Sequence, residues 1–194
     1  MSSIAAPYGA EPVGTLSASG SFSGKMRHYK IASGYTPAIY YGDFVKLATT
    51  GVVEKDVVTD TRVTGMCGIF MGCSYTDPNT GQTTIAQKWT ALTAAADAVA
   101  YVLDDPNVVF KMQADDTLAQ TAIGMNVSVV QTAGSAAVGR SRNAVDASEI
   151  AATATLPIRI VEFVQGPDSA VGDAFTDVHC VFNGHFFSQT TGMA

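Results

Sequence analysis

The chain has 194 residues, 47% of them hydrophobic and only 14% charged, with a net charge of −6, whereas an average soluble domain carries roughly 25% charged residues. That length supports a core without disulfide staples. The acidic balance argues against a nucleic-acid partner, which calls for a basic stripe, and no apolar run approaches the roughly 18 residues of a membrane-spanning helix.

Met1–Gly24 reads MSSIAAPYGAEPVGTLSASGSFSG. Its apolar residues follow neither helical spacing nor strand alternation. It has no basic n-region and no continuous apolar h-region, so it does not read as a signal peptide. A segment of this kind is either a disordered tail or an arm that orders against something else. Ile4, Tyr8, Val13, Leu16 and Phe22 are dispersed along it as anchors would be. We expect residues 1–34 to form an extended N-terminal arm that reaches a neighbouring subunit, and 35–194 a β-rich domain. A candidate join between subdomains falls near 93–97.

Beyond the arm the texture changes. Met26–Ile31 alternates, and Ala38–Leu47 is dense in β formers around a Gly-Asp turn or bulge. Val52–Val58 follows a turn signal, and Val63–Tyr75 is interrupted by Gly65, Gly68 and Gly72. Asp77–Gly81 is strong turn chemistry, and Gln82–Leu92 contains Trp89, the single tryptophan. Ala98–Leu103 and Val108–Gln113 flank an Asp-Asp-Pro-Asn turn. Gly124–Gln131, Leu156–Val164 and Val178–Phe187 complete the strands. Asp115–Ile123 has room for one or two helical turns with Asp115 or Asp116 as N-cap, and Thr90–Asp97 has alanine propensity but is short. The pattern predicts an all-β fold, a sandwich or barrel-like module with at most one or two short helices.

The chemistry-bearing residues are few. The three cysteines, Cys67, Cys73 and Cys180, are too few and odd in number for a secreted disulfide framework; we expect them reduced and packed, in keeping with synthesis in a reducing cytosol. His179, Cys180 and His185, with Cys67 and Cys73, are the imaginable metal ligands. Neighbours on a strand point to opposite faces, however, and the Cys67–Cys73 spacing is not that of structural zinc. The Asp77 turn imitates the opening of a calcium loop without its closing glutamate. The pairs Asp104/Asp105 and Asp115/Asp116 read as caps rather than glycosidase acids. Arg140 and Arg142 form a local basic cluster, either a clamp for phosphate or carboxylate or an intersubunit loop. Trp89 with Tyr40 and Tyr41 is either a stacking platform or a core or interface anchor. No nucleotide, metalloprotease or hydrolase motif is present, so the expectation is a protein that is not an enzyme and has no cofactor, catalytic residue or metal site.

One resemblance spans most of residues 25–190. Tyr29–Leu47, Gly51-Val52-Val53, Gly68–Tyr75, Ala100–Gln113, Gly124-Met125-Asn126, Gly139-Arg140-Ser141, and Asp173-Ala174-Phe175 with Val178 and Asn183-Gly184-His185 occur in an order that resembles tailed-bacteriophage capsid decoration (cement) and head structural proteins. The resemblance implies a β-rich virion subunit, often trimeric, that binds the major capsid protein on the capsid exterior after assembly in the host cytoplasm. Such proteins share no catalytic motif, so no functional residue carries over. The candidate interface residues are therefore Ile4, Tyr8, Val13, Leu16, Phe22, Arg140 and Arg142. The alternatives are another virion component (tail-tube, neck or head-fibre) and a carbohydrate-binding β module.

Overall fold

A computed structural model of the chain describes residues 4–17, 24–57, 66–167 and 169–188. The fold is all-β, with 46% of residues in strands and 4% in short helical turns. The strands in chain order are β1 (Glu11–Thr15), β2 (Arg27–Lys30), β3 (Ile39–Tyr40), β4 (Phe44–Leu47), β5 (Val53–Lys55), β6 (Met66–Thr76) and β7 (Thr83–Ala86). They continue with β8 (Lys88–Trp89), β9 (Val99–Leu103), β10 (Val108–Gln113), β11 (Asn126–Val130), β12 (Ala144–Ala151), β13 (Ile158–Phe163) and β14 (Asp177–Phe182). One six-stranded sheet runs β1-β10-β14-β13-β11-β12. The second runs β2-β9-β6-β4-β5, with β7 paired to the far half of β6, and β3 and β8 form a separate two-stranded ribbon. All these pairings are antiparallel.

The two sheets stack through a core in which Phe110, Met112, Ile158, Ile160, Val178 and Cys180 of the first sheet meet Phe44, Met66, Ile69 and Leu103 of the second. Phe44 bridges them, its ring centroid 5.5 Å from Phe110 and 5.7 Å from Phe182. The opposite face of the second sheet is also covered. Cys67, Phe70, Cys73, Ala100 and Val102 pack there against Ile39 and Trp89 of the ribbon. This double burial explains why β6 reads as a near-continuous apolar run rather than a clean alternation. Its glycines mark where that run slips register. Gly68, at φ +149°, lies so close to Leu103 that a Cβ would sit 2.1 Å from the Leu103 carbonyl oxygen. The register against β4 shifts beside Gly68, so Met66 and Ile69, three residues apart, both face the first core.

Three sequence expectations need correction. The N-terminal segment, read as patternless, supplies β1, which pairs with β10 at a sheet edge. Its alternation is hidden because a register shift between Pro12 and Gly14 breaks the period. The strand β12 went unread because Ala144–Ala151 mixes alanine with Asp146 and Glu149 at an edge, where no clean apolar face is required. The one or two helical turns given room in Asp115–Ile123 are a single 3-10 turn at Gln120–Ala122, but neither Asp115 nor Asp116 is its N-cap, which is Ala119; Asp115 Oδ1 instead accepts from the Ala147 N–H at 2.8 Å. The range 1–34 assigned to the arm thus contributes β1 and β2 to the sheets. Residues 93–97 run between β8 and β9, with Ala95 buried in the second core.

Candidate functional site

The Gly-Asp turn between β3 and β4 organises the surface that carries three of the expected interface residues. Asp43 is fully buried. Its Oδ2 accepts from the Tyr40 N–H at 2.9 Å and pairs with Lys55 Nζ at 2.9 Å. Its Oδ1 accepts from Ser141 Oγ at 2.6 Å and from Asn143 Nδ2 at 3.3 Å. A carboxylate so surrounded is compensated as a buried charge must be, and it ties β4 and β5 to the loop that precedes β12. That loop is held further by hydrogen bonds from Tyr41 N–H to the Gly139 carbonyl and from Ser141 N–H to the Tyr41 carbonyl. Lys88 Nζ donates to the Ala136 carbonyl at 2.5 Å.

The N-terminal segment lies along the same loop. Gly9 has φ +79°, and a Cβ there would sit 2.5 Å from Ser141 Cβ, so only glycine allows this approach. The Gly9 N–H donates to the Asn143 carbonyl and the Ala10 N–H to the Gly42 carbonyl. Further out, Gln113 at the end of β10 clips the chain twice: Oε1 accepts from Ala6 N–H at 2.8 Å and Nε2 donates to the Ile4 carbonyl at 3.1 Å. Tyr8 donates its hydroxyl to Asp177 Oδ1 at 3.0 Å; burial, then the Asp177 charge, raises its pKa far above the ordinary tyrosine value.

Between segment and loop runs a groove of about 560 Å³, lined by Ala5, Ala6, Pro7, Tyr8, Val138, Arg140 and Arg142 among others. It brings together three of the expected interface residues, Tyr8, Arg140 and Arg142. The Arg140 guanidinium stands 5.4 Å from the Tyr41 ring centroid and 3.8 Å from Glu11 Oε1. Arg142 is exposed and forms no ion pair among the described residues. Thr132 also lines a second groove of about 390 Å³, which includes Tyr40, Lys55, Val57 and Gln131. Val57, at 60% exposure, was not singled out in the sequence, where it reads only as part of the Val52–Val58 run. Ile4, Val13 and Leu16 are 78%, 44% and 53% exposed, and Phe22 lies outside the described residues.

The residues weighed as ligands or catalysts are dispersed into other roles. His179 Nδ1 meets Glu162 at 2.7 Å, whereas Cys180, next along the strand, is buried in the first core. His185 is buried with Nε2 2.9 Å from the Cys67 carbonyl, and burial lowers its pKa below the ordinary histidine value. Cys67 and Cys73 lie in the second core; burial pushes the Cys73 thiol up to about 12. Asp77 Oδ1 caps its own turn through the Asn79 N–H at 2.7 Å. Asp104 takes Arg27 at 3.0 Å and the Tyr29 hydroxyl at 2.7 Å, while Asp105 caps Asn107. Trp89 is fully buried, its indole N–H donating to the Tyr35 carbonyl, so it anchors the core rather than a platform. Among the described residues no helix is long and apolar enough to cross a membrane.

Comparison with family models, with curated proteins and with solved structures finds no match for this chain.

Proposed function

We propose that the chain is a non-enzymatic virion structural protein that binds the outer surface of a bacteriophage capsid and reinforces it, most often as a homotrimer. The observation that carries this reading is the N-terminal segment. It is fixed to its own body by main-chain hydrogen bonds, yet it presents Ile4, Val13 and Leu16 to solvent, and its residues 5–8 wall a groove holding two arginines. Apolar side chains held in place on a rigid edge are suited to contact with a preformed lattice, because little entropy remains to be lost on binding. The ordered resemblance to decoration proteins supports the same reading, as does the low charge content, which leaves surface suited to cover by copies of the chain. Many identical weak contacts then sum over the lattice.

The test is occupancy on purified capsids, imaged at a resolution that locates each subunit. Wild-type protein is expected on the outer capsid surface. The double variant Ile4→Glu/Leu16→Glu is expected to lose occupancy while its melting temperature stays within a few degrees. Density for the chain in the tail tube or neck instead would replace this reading by another virion role.

A further inference from the structure

The groove between the N-terminal segment and the 132–142 loop has a chemistry of its own. Two guanidiniums, Arg140 and Arg142, serve it on a chain of net charge −6. The carboxylates nearby leave them largely uncompensated. Asp43 is taken up by Lys55, Ser141, Asn143 and the Tyr40 N–H. Asp177 takes the Tyr8 hydroxyl and stands 3.9 Å from Lys111. Among the described residues only Glu11 approaches a groove arginine, at 3.8 Å from Arg140, a distance too long for a charge-assisted hydrogen bond. The opposing walls are Ala5, Ala6, Pro7 and Val138, the last 63% exposed.

We propose that this groove takes an extended acidic segment of a partner protein, whose carboxylates meet Arg140 and Arg142 while its apolar side chains lie on the alanine, proline and valine walls. The proposal rests on reading this surface as an interface. Several main-chain donors of the loop and segment are already engaged. Phosphate sites use free backbone N–H groups, but here Ser135 N–H donates to the Arg140 carbonyl, Gly139 N–H to Ser135 and Ser141 N–H to Tyr41. The Ala6 N–H is taken by Gln113. The two guanidiniums carry the positive charge of the groove, and a planar guanidinium fork matches a carboxylate in two parallel hydrogen bonds, as it does a pair of phosphate oxygens. The walls add an apolar term that a small inorganic anion would not use. About 560 Å³ lies within the usual size of a ligand cleft, and the anchored loop and segment make it preformed.

The probe is a short fluorescein-labelled peptide of alternating glutamate and leucine, titrated by anisotropy against full-length protein. Wild type is expected to bind saturably. Arg142→Glu is expected to weaken binding about tenfold or more, the scale of a lost charge-assisted hydrogen bond, and Lys30→Glu, an exposed basic residue on β2, to leave it unchanged. Absence of saturable binding, or equal loss in both variants, overturns the proposal. So does a glutamate-glycine peptide binding as well as the leucine one, or tripolyphosphate displacing the peptide at equal concentration. Sedimentation showing that Arg142→Glu abolishes self-association would assign the groove to a second copy and overturn the foreign partner. Capsid occupancy is read separately: peptide binding lost with occupancy intact removes this groove, and peptide binding without occupancy removes the virion role.

Discussion

Two buried polar side chains set the sharpest expectations at the residue scale. Asp43 accepts from four donors, so Asp43→Ala strands the Lys55 ammonium, the Tyr40 N–H and two side-chain donors at once. Breaking a buried pair from one side costs about 3–5 kcal/mol, and denaturant titration should show a loss of that size. Lys55→Met should cost stability on the same scale, because it leaves the fully buried Asp43 carboxylate with three neutral donors and no counter-charge. His185 gives a pH signature. Its folded pKa is depressed, by burial first, so the unfolded chain binds the proton more readily. Its contribution is fully present above the ordinary histidine value and is lost as pH falls from there toward the folded value. The denaturation midpoint should drop between about pH 7.5 and about pH 5.5, and His185→Gln should flatten that slope. A slope unchanged in the variant would assign the effect to other groups.

At the scale of elements, β6 is the member on which both cores depend. Gly68→Ala would drive a methyl into the Leu103 carbonyl oxygen at a φ that alanine rarely adopts. Strain of this kind costs about 1–3 kcal/mol before the clash is counted, and a lowered melting temperature with unchanged far-ultraviolet dichroism is the expected result. Removing residues 2–16 should likewise lower stability, since Ala10 is 1% exposed within the first core and β1 covers the edge of β10. The central strands were legible because Val108–Gln113, Ala98–Leu103 and Leu156–Val164 carry β-branched or aromatic residues between turn residues. β1 and β12 were not, because edge strands with one wet side need no such pattern. The groove was half legible: Arg140 and Arg142 stand out in sequence, whereas their meeting with Tyr8 depends on contacts 130 or so residues apart that a one-dimensional reading does not reveal.

For the whole molecule, the second sheet is shared by two cores, so neither core can open without stripping the other's floor. A single cooperative melt is expected, and its thiols report it. Cys67, Cys73 and Cys180 are buried, with thiol pKa values raised by burial. A thiolate is the reactive form, so a disulfide reagent should find none of them in the native protein at neutral pH and all three after denaturation. Early reaction of one thiol, ahead of the loss of dichroism, would reveal that the cores open separately.

The order in which the chain leaves the ribosome differs from the order in which its sheet can close. β1 emerges first, but its partner β10 begins at Val108, and β14, on the other side of β10, ends at Phe182. β1 must therefore wait, unpaired, until β10 has been made, and β10 in turn waits for β14 on its other side. Contacts so distant in sequence are slow to form. A translating chain of this protein passes through a long interval in which its first strand is available to any other open edge, including that of a nascent neighbour on the same messenger.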